Sequence, residues 1–205
     1  MSRALVEATC FEPRQLPAPD VPEVIMAGRS NVGKSSLINA LLGAKLAHVG
    51  GTPGKTRSVN FYRVESDGAA YRVVDLPGYG YASRSKSERN EWLRLVSAYM
   101  DSRAVGSMAS SAAGQKLLAC HLVDFRHGLL ANDRELQDWL NQCGAPMLVV
   151  FTKADKIPRG KWRGMLEQYV RDGLYSIDVP IITSAEKRAG TDALNGFIVK
   201  FLFER

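Results

Sequence analysis

Apolar residues along this chain follow two rhythms. Short, nearly unbroken runs occur at Glu23-Val24-Ile25-Met26-Ala27, Leu117-Leu118-Ala119-Cys120-His121-Leu122-Val123 and Met147-Leu148-Val149-Val150-Phe151. Runs of that kind predict strands covered on both faces. Between them, apolar residues recur three and four positions apart. Trp92, Leu95, Val96 and Tyr99 do so within 88–101, and Leu194, Phe197, Ile198, Phe201 and Leu202 within 191–203. That spacing predicts helices with one face turned inward.

In order, strands are expected near 23–27, 59–64, 71–75, 117–124, 146–151 and 180–183, and helices near 34–42, 88–101, 132–142, 161–172 and 191–203. Asp67-Gly68 between the second and third strands is a hairpin signal. The expected fold is therefore α/β: a six-stranded, mostly parallel sheet with one antiparallel strand and helices on both faces. Residues 1–22 carry Pro13, Pro17 and Pro19 and read as an irregular lead-in, with 23–205 as one domain. The small polar residues of 102–115 predict a flexible insertion.

Composition narrows the class without naming it. With 205 residues, 45% hydrophobic and 23% charged, one well-cored domain is expected. A net charge of +6 suits an anionic partner such as nucleic acid but identifies none. Cys10, Cys120 and Cys143 lie too far apart for a metal site or a disulfide framework, which points to a reducing compartment. No apolar stretch approaches the ~20 residues that span a bilayer. The first residues lack a signal-peptide core, so a cytoplasmic protein without membrane contact is expected.

The chemistry lies where the predicted strands end. Gly28-Arg29-Ser30-Asn31-Val32-Gly33-Lys34-Ser35 reads G-x-x-x-x-G-K-S between a strand and a helix. Backbone N–H groups of such a loop cradle phosphates, Lys34 reaches the β- and γ-phosphates, and the Ser35 hydroxyl can ligate Mg²⁺. Asp75-Leu76-Pro77-Gly78 reads D-x-x-G: the acid can hold Mg²⁺ and the Gly78 N–H can meet a γ-phosphate. Thr152-Lys153-Ala154-Asp155 offers a carboxylate that accepts two donors from guanine and rejects adenine. Thr183-Ser184-Ala185 ends the last strand, where backbone N–H groups could meet the guanine oxygen. Gly54-Lys55-Thr56-Arg57-Ser58 falls in a glycine-rich loop, and Thr56, preferred to Thr52, is the candidate switch threonine and third Mg²⁺ ligand.

These motifs, in this order, resemble those of the Ras-like translation-factor class of P-loop GTPases. More narrowly, Pro53-Gly54-Lys55-Thr56, Asn60-Phe61-Tyr62, Asp75-Leu76-Pro77-Gly78-Tyr79-Gly80-Tyr81-Ala82, Val123-Asp124-Phe125-Arg126-His127 and Thr152-Lys153-Ala154-Asp155-Lys156 resemble the EngB (YihA/YsxC) family. The resemblance implies a bacterial GTPase that assists assembly of the large (50S) ribosomal subunit, with a link to cell division and septation. It implies GTP, GDP and Mg²⁺ as ligands, and a monomer is expected.

Tyr79 stands where small GTPases often carry a water-orienting Gln, so slow intrinsic hydrolysis is expected, with Lys34, Thr56 and Mg²⁺ as the catalytic contributors. A partner, a monovalent cation such as K⁺ near Asn31, or the phosphate itself would complete the site. Basic residues around the two switch segments suit docking on RNA. A signalling switch acting through a protein partner without the ribosome is the alternative.

Overall fold

A computed structural model describes residues 3–49, 58–66, 69–79, 86–103 and 116–204. Among these residues seven strands form one sheet: β1 (Arg3–Cys10), β2 (Glu23–Gly28), β3 (Val59–Ser66), β4 (Ala69–Asp75), β5 (Leu117–Asp124), β6 (Met147–Thr152) and β7 (Ile181–Ile182). The helices are α1 (Lys34–Leu42), α2 (Lys86–Arg103), α3 (Ala131–Gln142), α4 (Trp162–Arg171) and α5 (Thr191–Phe203). The order across the sheet is β1-β3-β4-β2-β5-β6-β7. Both pairings of β3 are antiparallel and the other pairings are parallel, so β3 alone runs against the rest. Ser66 stands opposite Ala69, as a hairpin requires, while Asp67 and Gly68 lie outside the described residues.

The unbroken apolar strands are buried because successive side chains enter different cores. Val24 and Met26 of β2 pack with Leu37, Ile38, Leu194, Ile198 and Leu202 of α1 and α5. Ile25 and Ala27 pack on the other face with Leu95, Val96 and Tyr99 of α2 and Leu136 and Leu140 of α3. A third cluster joins Val123, Phe125, Val149 and Phe151 to Trp162, Met165, Leu166 and Tyr169 of α4. Alternation at period two thus places helices on both faces, as the strand composition predicts. Cys120 is wholly buried in the first cluster.

Two expectations need correction. The sheet has seven strands rather than six, and residues 3–10 are a strand rather than irregular chain. Arg3-Ala4-Leu5-Val6-Glu7-Ala8-Thr9-Cys10 has no clean alternation, and its register shifts between Val6 and Ala8. Backbone pairing to β3, which no hydrophobic rhythm encodes, makes it a strand. Side chains then fasten the lead-in. Arg72, 2% exposed, bonds Glu7 at 2.7 Å, Asp20 at 2.6 Å and the Ala18 carbonyl at 2.8 Å. Its neighbour across β2 and β4 is Glu23, which also holds Arg103 at 2.8 Å and accepts the Tyr99 hydroxyl at 2.8 Å. This buried cluster sits at the opposite end of the sheet from the predicted phosphate loop.

Among the described residues, no helix is long and apolar enough to cross a membrane. The 102–115 insertion, apart from Ser102 and Arg103 at the end of α2, lies outside the described residues.

Candidate functional site

The parallel strands β2, β4, β5, β6 and β7 all end at one rim of the sheet. That is where ligands bind in open α/β sheets. Each described motif is found there.

Residues 28–35 leave β2, turn, and enter α1. Asn31 has φ 63° and Gly33 φ 106°, and the Val32 N–H donates to the Arg29 carbonyl at 3.1 Å. A Cβ at position 33 would be strained by that left-handed backbone, which explains glycine there. Gly33 is also the N-cap of α1 and brings no side chain to cap it. The first-turn N–H groups therefore lack a side-chain acceptor, the arrangement that receives a phosphate. Lys34 begins α1 and is buried, with its ammonium on the Asp75 carboxylate. Ser35 follows in the same turn and is partly exposed.

Asp75 is the last residue of β4 and lies opposite Met26 of β2. The chain then continues along the phosphate loop: the Leu76 N–H donates to the Met26 carbonyl at 3.3 Å, and the Ser30 N–H donates to the Tyr79 carbonyl at 3.1 Å. Gly78 is needed for this approach, since a Cβ would come within 3.0 Å of Ser30 Oγ. The Trp92 indole N–H on α2 donates to the Pro77 carbonyl at 2.9 Å.

Residues 152–155 leave β6 and bind back onto the phosphate loop. The Thr152 hydroxyl donates to the Val32 carbonyl at 2.6 Å, and the Lys153 ammonium donates to the Asn31 carbonyl at 2.6 Å. Lys153 also lies 3.2 Å from Asp124, which takes Arg126 at 2.7 Å. Burial pushes the Asp124 carboxyl up. The Arg126 side chain and backbone N–H, with Lys153, more than offset this and hold it at about 2. Asp155 accepts the Ser184 hydroxyl at 2.6 Å and meets Lys156 at 3.0 Å. The Ser184 hydrogen bond, above all, keeps its carboxyl below the ordinary range. Thr183 is buried with its hydroxyl on the Phe151 carbonyl, its own carbonyl accepts the Ala154 N–H at 3.1 Å, and partly exposed Ala185 follows. The 152–155 and 183–185 segments thus form one surface beside the phosphate loop.

Of the remaining predicted residues, Gly54, Lys55, Thr56 and Arg57 lie outside the described residues. Ser58 is buried and donates to Asn60 Oδ1 at 3.2 Å.

The motifs give no sign of Asp133. It is wholly buried in the first turn of α3 and receives the Tyr79 hydroxyl at 2.7 Å and Arg29 Nε at 3.0 Å. The Tyr79 ring is partly buried against the second cluster. The one local signal was an acid three residues after Leu130, where its carboxylate receives the Leu130 N–H at 3.0 Å.

Among the described residues no group of three His, Cys, Asp or Glu could hold a metal. A metal here would draw on the Ser35 hydroxyl, the Asp75 carboxylate, nucleotide oxygens and water. That donor set suits Mg²⁺.

Comparison with known proteins agrees with this arrangement. A family model described as 50S ribosome-binding GTPase matches residues 23–153. The probable GTP-binding protein EngB of Bacillus velezensis is 37% identical over 209 residues, covering 98% of each chain. That of Streptococcus mutans is 44% identical over 180 residues, covering 86% of this chain and 84% of its own. Among solved structures, a probable GTP-binding protein engB superposes with a TM-score of 0.64 at 26% identity, over 89% of this chain and all of that one. Era in complex with MgGDPNP and nucleotides 1506–1542 of 16S ribosomal RNA gives 0.70 at 26% identity. This chain covers only 58% of that Era chain.

Proposed function

The chain belongs to the EngB family of GTP-binding proteins and is a GTPase, and on that premise we propose that it is a slowly hydrolysing GTP switch assisting assembly of the large ribosomal subunit. It acts as a cytoplasmic monomer, and through the ribosome it supports normal division and septation. One observation carries the nucleotide part: Thr152 and Lys153 donate directly to the carbonyls of Val32 and Asn31. A base-reading loop and a phosphate cradle so joined suit a single guanine nucleotide. The ribosomal part is supported by the description of the matching family model.

In this reading residues 28–35 bind the phosphates, and the Lys34 ammonium, now on Asp75, is taken over by phosphate oxygens. Asp155 reads guanine with the 183–185 backbone beside it, and Gly78 meets the γ-phosphate. Residues 54–58 form the first switch, with Thr56 sensing the triphosphate. Ser35, Asp75 and Thr56 would hold Mg²⁺, which would supply positive charge against the phosphates.

Slow hydrolysis follows from Tyr79. It has no amide to orient water, and its hydroxyl is committed to Asp133. Faster turnover in potassium than in sodium buffer is expected if a cation near Asn31 completes the site; equal rates remove that role.

The deciding experiment is co-sedimentation of the protein with large ribosomal subunits. Binding with a non-hydrolysable GTP analogue and release with GDP is expected. Equal or absent binding in both states would leave a switch working through another protein.

A further inference from the structure

Asp133 takes no part in the chemistry just described, yet three other parts of the fold converge on its carboxylate. The Tyr79 hydroxyl donates to Oδ1 at 2.7 Å, and Arg29 Nε lies 3.0 Å from both oxygens. His121 of β5 lies 3.9 Å from Oδ1, and its Nε2 is 3.3 Å from the Tyr79 hydroxyl. The helix-capping bond from the Leu130 N–H to Oδ2 accounts for an acid at this position. It does not account for Oδ1 receiving side chains from both loops that meet phosphate.

The roles in the cluster are well defined. Burial and the Asp133 charge push the Tyr79 phenol far above its usual range, so it stays a donor. Burial pushes Asp133 up, but nearby His121 and the hydrogen bonds from Tyr79 and Leu130 more than offset this and keep it an acceptor. The backbone adds to the same attachment. Ser30 and Tyr79 share a hydrogen bond, Arg29 pairs beside Tyr79, and Gly78 lies so close to Ser30 that a Cβ at 78 would come within 3.0 Å of its Oγ.

We propose that Asp133 and Tyr79 form a clamp that holds Gly78 against the phosphate loop, making Asp133 a positioning residue for recognition of the triphosphate. The clamp rests on the reading of residues 28–35 and 75–78 as the phosphate site. A diphosphate is held by the loop at 28–35, and only a γ-phosphate calls on the Gly78 N–H. Loosening Tyr79 therefore adds an ordering cost that triphosphate binding alone must meet.

Tyr79→Phe removes only the hydroxyl and leaves the Arg29–Asp133 contact in place. Affinities of the full chain for fluorescent GDP and for a non-hydrolysable GTP analogue give the test. A loss of about tenfold for the analogue is expected, with GDP affinity unchanged. Asp133→Asn, which keeps an oxygen to accept the phenol, should lose less. A purely structural role would weaken both nucleotides together or neither, and either result overturns the clamp. If the unaltered chain binds neither nucleotide, the site reading fails first and the clamp falls with it.

Discussion

The hydroxyl of Thr152 donates to the backbone carbonyl of Val32 at 2.6 Å, so the loop ending β6 is bonded directly to the loop ending β2. Both groups are buried. The segments we propose to read the base and bind the phosphates therefore cannot shift independently without leaving the Val32 carbonyl unpaired, which costs ~1–3 kcal/mol.

Thr152→Val tests that coupling with little change of volume. Stability should fall by ~1–3 kcal/mol in urea unfolding, and GDP affinity should fall as well. A variant that loses stability but binds GDP as before would show that the bond braces the fold and not the site.

Lys34→Ala has a double effect. It removes the phosphate-binding ammonium, and it leaves Asp75, 4% exposed, without its cation. Tight GDP binding should disappear by isothermal titration calorimetry, and stability should drop by ~3–5 kcal/mol. Retained GDP affinity would refute the phosphate assignment.

Asp155→Asn exchanges a carboxylate that accepts for an amide that also donates. Preference should move from guanine towards xanthine, whose 2-oxo group needs a donor. A change of at least about 100-fold in the GDP to XDP affinity ratio is expected, read by competition. If guanine binding survives intact, residues 152–155 do not read the base.

Acid should weaken the fold in a defined window. Asp124 is held at about 2 against an ordinary 3.8. A folded value below the unfolded one adds stability above about pH 4, and that share is lost as pH falls towards 2. Asp133, Asp155 and Glu7 are held low as well and act in the same direction. Urea unfolding should be flat from neutrality to about pH 5 and then decline. Asp124→Asn should cost about 2 kcal/mol at pH 7 and flatten the decline.

Arg72→Met probes the far end of the sheet. Arg72 serves Glu7, Asp20 and Glu23, and its loss leaves buried Glu23 with Arg103 as its remaining cation and half-buried Glu7 and the Ala18 carbonyl without this partner. A destabilisation of ~3–5 kcal/mol is expected, with GDP affinity within about twofold of the unaltered chain. A large affinity change would mean that the cluster communicates with the site.

The local pattern was informative wherever neighbours in the chain carry the signal. Apolar runs placed β2, β4, β5 and β6 to within two residues, and α1 and α5 run over the predicted residues. Glycine at 33 and 78, Lys34, Asp75 and Asp155 could be read from short motifs, because a phosphate loop needs those residue types at those intervals.

Partners far apart in the chain were hidden. Tyr79 could be read only as the residue that follows D-x-x-G, and its acceptor Asp133 lies 54 residues on. Nothing near Glu7 or Asp20 in the chain points to Arg72, which pairs with both.

Periodicity thus dictated a mostly parallel α/β sheet, and short motifs marked the loops at its rim that we propose to hold phosphate and read guanine. Burial on both faces and tight turns leave a local mark on residue choice. Tertiary structure alone made residues 3–10 a strand, joined Thr152 to Val32, and set Arg29 and Tyr79 on one carboxylate. Nothing local specifies which distant partner satisfies an edge backbone or a buried charge; that is decided only when the chain closes around it.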